Sequence, residues 1–375
     1  MVEVLRSGRL ALGPKGQEFE RLVAAFTGSA WAVAVSSGTA GLHLAVRSLG
    51  IGPEDCVVTS SFSFIASANC LRYEEAEPVF VDVDPETLCL SPDAVRAYLV
   101  SCKEDGERLR DPRTGRRVAG VLPVDVFGQP ANLPEIGRVA AAWNLPILSD
   151  SCEAFGSRYR RSDGSTTHAG RDAAMAILAF YPNKQITTGE GGMVVGDDPD
   201  LEERVRSLRN QGRRTGDAWL HHSRLGFNYR MDELSAALGV AQMRRIGEIL
   251  RRRAEVAAWY EEDLAGMEEL RGPRAAPGTE PAWFVMFLRV ATGISRDRLV
   301  EYLVRDGIES KAYFDPPIHR QPPYSGREDL VADPLEATEV AAARTLIVPF
   351  HARLEREDVS RVVRTVKDGL VRSAG

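Results

Sequence analysis

Lysine is nearly absent from this chain. Of the 47 basic residues among 375, 42 are arginine, and lysine stands only at Lys15, Lys103, Lys184, Lys311 and Lys367. Cysteine is as sparse. Cys56, Cys70, Cys89, Cys102 and Cys152 are odd in number and lack any Cys-x-x-Cys spacing, which argues against a disulfide framework or a cysteine-based zinc site and for reduced thiols. No metal ligand set stands out. No apolar run approaches the ~20 residues that span a bilayer. The opening MVEVLRSGRLALGPKG breaks its apolar pattern with charges, unlike a secretory signal, so a cytoplasmic location without a membrane partner is expected. The net charge is −6, from 47 basic against 53 acidic residues. With no basic tail or basic recognition helix, nucleic acid is not expected as a partner.

What is present is the composition of a soluble globular protein, 44% hydrophobic and 27% charged. The length suits a large domain and a smaller one. Short apolar runs, AVAVSS (32–37), CVVTS (56–60), VFVDVD (79–84), GVLPVD (120–125), LPILSD (145–150), MAILAF (175–180) and GMVV (192–195), alternate with amphipathic stretches such as TAGLHLAVRSL (39–49). Repeated strand–helix–strand units predict an α/β fold, a mostly parallel sheet between two helical layers. We assign it to residues 1–250 and a smaller α+β domain to 251–375. The polar segment 102–120 reads as a surface insertion without function, and 231–260 as one long helix that Gly239 and Gly247 do not stop.

Ligands of such sheets gather beyond the carboxyl ends of the strands. Three stretches there carry chemistry. SSGTAGLHLAV opens a helix with small hydroxyl residues and glycine, so the free N–H groups of Gly38 and Thr39 offer a phosphate cradle; a plain helix N-cap has the same pattern. LPILSDSCEAFGS delivers Asp150 to a strand end, with Glu153 three residues on. A carboxylate there can hold a pyridine nitrogen protonated or cap the following turn. AFYPNKQITTGEGG places Lys184 between an apolar run and a glycine-rich turn. Arginine cannot lose its proton and attack a carbonyl, whereas a partly desolvated lysine can.

A phosphate cradle, an acidic strand end and an isolated lysine are the parts that hold pyridoxal phosphate. The order of SSGTAGLHLAV, SFSFIASAN (61–69), PVDVFGQP (123–130), SDSCEAFGS (149–157), YPNKQITTGEGG (181–192), RLGFNYRMDELSAALG (224–239) and YFDPPIH (313–319) resembles the DegT/DnrJ/StrS-type sugar aminotransferases over essentially the whole chain. The resemblance implies the fold type I architecture and pyridoxal 5'-phosphate bonded covalently to Lys184, which also carries protons. It implies Asp150 on the pyridine nitrogen, Gly38 and Thr39 on the phosphate, and Phe64 stacked on the ring, although Phe64 also suits a core. It places Asn228 and Arg230 on a loop that reaches the neighbouring active site of a homodimer. Tyr313 and His319 become sugar contacts, a loop histidine being as often structural.

Three positions depart from the family pattern. Glu153 stands where glutamine or histidine commonly meets the cofactor's phenolic oxygen, and a carboxylate there needs a proton or a cation. Ala179 replaces a phosphate-binding serine, and Asp125 a frequent histidine.

The reaction implied is transfer of an amino group, most simply from glutamate, to a nucleotide-linked keto sugar, for amino-sugar biosynthesis. Two alternatives are set against it. A sugar dehydratase of the same family carries histidine in place of Lys184, and a non-catalytic, cofactor-binding regulator would need an interaction module that this sequence does not display.

Overall fold

The computed structural model describes residues 1–373 apart from Glu107, Thr215, Asp217 and Trp219. Its main sheet has seven strands: β1 (Trp31–Val35), β2 (Asp55–Ser60), β3 (Glu77–Val81), β4 (Arg117–Leu122), β5 (Leu148–Asp150), β6 (Met175–Ala179) and β7 (Gly192–Gly196). β7 runs antiparallel between β1 and β6. β6 pairs parallel with β5, the bridges Val121–Ile147 and Val124–Asp150 join β5 to β4, and β4, β2 and β3 continue in parallel. Of these seven strands, six therefore point one way and β7 runs back, which matches the mostly parallel sheet expected.

The register explains why the runs are apolar throughout. Along β1, Ala32 and Ala34 pack with Phe19, Phe180 and Val240, whereas Val33 and Val35 pack with Leu42, Ile177 and Val194 on the other face. Alternate side chains thus enter different helical layers, and every β1 position is buried. The first layer contains helices Pro14–Thr27 and Glu233–Met243. Gly239 is a packing requirement between them, since a Cβ there would meet the Phe19 ring at 2.7 Å.

Beyond residue 265 an antiparallel sheet, Leu270–Arg271, Met286–Val290, Thr345–Val348 and Lys311–Ala312, forms in that spatial order. Its core joins Met286, Leu288 and Leu346 to Val256 and Tyr260 of helix Ile246–Leu264 and to Val359 and Val363 of helix Arg356–Ser373. Leu299 and Leu303 of helix Arg296–Arg305 join the same core, so apolar side chains of three helices pack on the sheet, as α+β packing requires.

Two expectations are corrected. Within the segment read as an insertion, Lys103–Asp105 and Arg108–Arg110 form a hairpin that pairs at Arg110 with Arg117. Strand β4 already begins at Arg117, so the stretch extends the sheet. The helix expected over 231–260 is two helices, Glu233–Met243 and Ile246–Leu264, separated at Arg245 with φ −115° and ψ 8°. Its glycines indeed do not stop it; the break lies at Arg244–Arg245, where both side chains are good helix formers. Among the described residues, no helix is long and apolar enough to cross a membrane.

Candidate active site

The parallel strands present their carboxyl ends at one edge of the sheet, and the candidate residues meet there. After β1, Ser37 caps helix Gly38–Ser48: its Oγ accepts the Ala40 N–H at 3.1 Å, and its carbonyl the Gly41 N–H at 3.1 Å. Among the described residues the N–H groups of Gly38 and Thr39 have no protein acceptor. They face the positive end of a helix, where an anion is stabilised. Gly38 has to be glycine: a Cβ would meet the Ala179 Cβ at 2.9 Å and the Cys152 Sγ at 3.0 Å. The alanine that departs from the family's serine is part of this close approach.

β5 delivers Asp150, which is 5% exposed. Its Oδ2 accepts the Ser67 hydroxyl at 2.7 Å and its Oδ1 the Cys152 N–H at 3.1 Å. Ser67 Oγ lies 2.8 Å from Ser63 Oγ, in the bend that precedes helix Ala66–Arg72. The carboxylate is therefore oriented from both sides before any ligand arrives.

Lys184 lies between β6 and β7, in a turn closed by its own N–H donating to the Tyr181 carbonyl at 3.0 Å. Its side chain is 13% exposed, with Nζ 3.4 Å from Glu153 Oε1 and 4.0 Å from the centre of the Phe284 ring. The other oxygen of Glu153 accepts the Phe127 N–H at 2.9 Å. Burial pushes the Glu153 carboxyl above the ordinary carboxylate range, Asp150 adds to this, and Lys184 and the Phe127 N–H oppose it. Burial, with Glu153 behind it, also raises the Tyr313 phenol.

These groups line one cavity of about 380 Å³. Seven of the ten candidates form its wall: Gly38, Thr39, Phe64, Asp150, Glu153, Lys184 and Tyr313. Phe64 is 63% exposed, so its ring is a surface of the site and not a core residue. Pyridoxal phosphate fits this set, with free N–H groups at one end, a buried carboxylate at another, an amine on the wall and an aromatic face at the mouth.

Three candidates stand apart. Asn228 bridges Asn210, and Arg230 donates to Asn210 Oδ1 at 3.0 Å; neither lines the cavity. His319 is also outside it. Its Nδ1 lies 2.7 Å from Ser61 Oγ and its Nε2 2.8 Å from Glu339 Oε1, while its own N–H donates to Ser61 at 2.9 Å. Nδ1 ties segment 313–319 to Ser61 just after β2 and Nε2 ties it to Glu339 in helix Glu336–Arg344, and burial lowers the ring's pKa despite Glu339. Asp125 is likewise internal. Its carboxylate accepts Ser151 Oγ at 2.6 Å and the Ala131 N–H at 2.7 Å, and burial pushes its pKa up to about 7.

Sequence reading missed Ser67 and Phe284. The i, i+4 spacing of Ser63 and Ser67 was visible. Phe284 gives no local signal, since it sits in an apolar run whose side chains divide between the two cores.

The DegT/DnrJ/EryC1/StrS aminotransferase family model matches residues 1–367. The chain belongs to that family. It is 37% identical over 357 residues to GDP-perosamine synthase of Caulobacter vibrioides, covering 94% of this chain and 90% of that protein. It is 35% identical over 369 residues to dTDP-3-amino-3,4,6-trideoxy-alpha-D-glucose transaminase of Streptomyces venezuelae, covering 98% and 90%. The crystal structure of DesV from S. venezuelae superposes with a TM-score of 0.87 at 33% identity, covering 98% of this chain and 92% of that one. The fold is thus that of the fold type I aminotransferases, and membership makes this chain an aminotransferase dependent on pyridoxal phosphate.

Proposed function

We propose that this enzyme transfers an amino group from glutamate to the keto carbon of a nucleotide-linked sugar. The observation that carries the reading is the convergence of Lys184, Asp150 and the Gly38–Thr39 turn on one cavity. The two relatives named above are a GDP-sugar and a dTDP-sugar enzyme by name, which supports the substrate class.

When bound, pyridoxal phosphate supplies an electron-withdrawing ring that stabilises charge at the substrate carbon. The chain's residues do the rest. Lys184 would hold the cofactor covalently, and its amine would move the proton at the reacting carbon. Asp150, held by Ser67 and Cys152, would keep the ring nitrogen protonated. Gly38 and Thr39 would take the phosphate, and Phe64 would offer an aromatic face to the ring. Lysine at position 184 disfavours the dehydratase alternative.

We further infer a cytoplasmic homodimer in which Asn228 and Arg230 complete the neighbour's site, built from a large domain over 1–250 and a smaller one over 251–375. Incubation with glutamate and a panel of nucleotide keto sugars tests the reaction. Release of 2-oxoglutarate with at least one sugar is expected, and no release with any of them removes support for the substrate class. Mixing inactive Lys184→Ala with inactive Arg230→Ala tests the shared site. Hybrids with one intact site should regain activity, and a mixture as inactive as its components contradicts sharing.

A further inference from the structure

A second cavity, of about 460 Å³, opens beside the first. The two share Ser63, Phe64 and Tyr313, so a ligand can extend from one into the other past the Phe64 ring. Their linings differ in charge. The first is lined by Asp150, Glu153 and Glu190 against one cation, Lys184. The second is lined by two charged residues, Lys311 and Asp315, and Asp315 is already paired with the buried Arg296. Lys311 is exposed, and among the described residues no carboxylate pairs with it. Its Nζ lies 6.0 Å from the centre of the Tyr313 ring, on the wall between the cavities.

This placement matters for a substrate carrying a diphosphate. Three carboxylates in the first cavity repel such a group, and its one phosphate cradle is committed to the cofactor. In a chain of net charge −6, the annex retains one unpaired positive charge.

Resting on the nucleotide-sugar reading, we propose that the annex is the diphosphate subsite and that Lys311 is its cation. The sugar then lies toward Lys184, with Tyr313 and Phe64 at the threshold, and the nucleoside lies further out along Phe314 and Gln321. As a point charge on a flexible stem, lysine attracts phosphate without fixing the bidentate geometry that arginine imposes.

Calorimetric titration of the holoenzyme with GDP and dTDP at low salt tests this, alongside Lys311→Glu and Lys311→Arg. Binding to the wild type is expected, about three- to tenfold weaker in Lys311→Glu and retained in Lys311→Arg, with the difference shrinking at high salt. The free nucleosides should not distinguish the proteins. Equal diphosphate affinity in wild type and Lys311→Glu, or no diphosphate binding at all, overturns the assignment. Glutamate-induced bleaching of the visible cofactor band separates the two readings. Its absence in the wild type sinks the aminotransferase reading, whereas normal bleaching with an indifferent Lys311 sinks the annex alone.

Discussion

Lys184 Nζ lies 3.4 Å from Glu153 Oε1, and both side chains are largely withdrawn from water. The amine is the one cation lowering a Glu153 pKa that burial has raised. Removing it as Lys184→Met leaves Glu153 protonated to a higher pH still. A carboxyl whose folded pKa is raised contributes stability below its unfolded value, near 4.5, and loses that contribution as pH rises through the folded value. Lys184→Met apoprotein should therefore match the wild type near pH 4.5 and fall behind it at pH 8.5. Lys184→Met/Glu153→Gln should recover the loss, with a coupling of about 1–3 kcal/mol. Urea unfolding of the apoproteins at both pH values measures this, and additive effects at pH 8.5 would show that the two side chains do not interact.

The Ser67 hydroxyl reaches Asp150 Oδ2 at 2.7 Å. A hydrogen bond to an ionised group contributes about 1.5–3 kcal/mol, so Ser67→Ala should slow the half-reaction with glutamate about tenfold or more, and Asp150→Asn should nearly stop it. Stopped-flow absorbance reads both rates. A Ser67→Ala rate equal to the wild type would mean that Cys152 N–H alone orients the carboxylate.

At Gly38 the prediction is steric. The Cβ of Gly38→Ala would press on Ala179 and Cys152 within 3.0 Å, and both are held in place by β6 and by the turn after β5. The alanine must push the helix start away from the sheet, at about 1–3 kcal/mol of stability. Cofactor affinity should fall more than stability does, since the cradle itself moves. Fluorimetric titration of the apoenzyme with pyridoxal phosphate checks the first effect and thermal unfolding the second; unaltered affinity would place the phosphate elsewhere.

Much of this architecture was legible because buried parallel strands are apolar at every position, so AVAVSS and MAILAF announced β1 and β6 directly. Lys184 and Asp150 were legible because a rare lysine and a strand-terminal carboxylate are chemically conspicuous. What escaped depended on distant partners. The partners of His319 were such a case: Ser61 and Glu339, far from it in sequence, engage both its ring nitrogens. The break at Arg245 has no local cause in MRRI. The hairpin strands Lys103–Asp105 and Arg108–Arg110 are mostly polar because they lie at the sheet's exposed margin, where Leu109 alone turns into the core.

His168 offers a test of the fold independent of the active site. It is 4% exposed, its Nε2 accepts the Gly156 N–H at 2.8 Å, and its Nδ1 donates to the Ala169 carbonyl at 2.8 Å. That pair of bonds requires the neutral ring, because a proton on Nε2 would confront the Gly156 N–H. Burial among neighbours that include Phe26 and Phe155 pushes its pKa down to about 4 from 6.5, with Arg158 a minor addition. Between those values the unfolded chain binds a proton that the folded one refuses. Stability therefore falls as pH drops, by about 1.4 kcal/mol per unit from this group. His168→Gln keeps an acceptor for Gly156 but does not titrate. It should be less stable than the wild type at pH 7.5, from lost ring packing, and the gap should narrow steadily toward pH 4.5. Urea midpoints for the two proteins isolate the effect, because every other titrating group, including Asp125 with its opposite slope, is common to both. A gap that stayed constant across the range would mean that folding does not lower the His168 pKa.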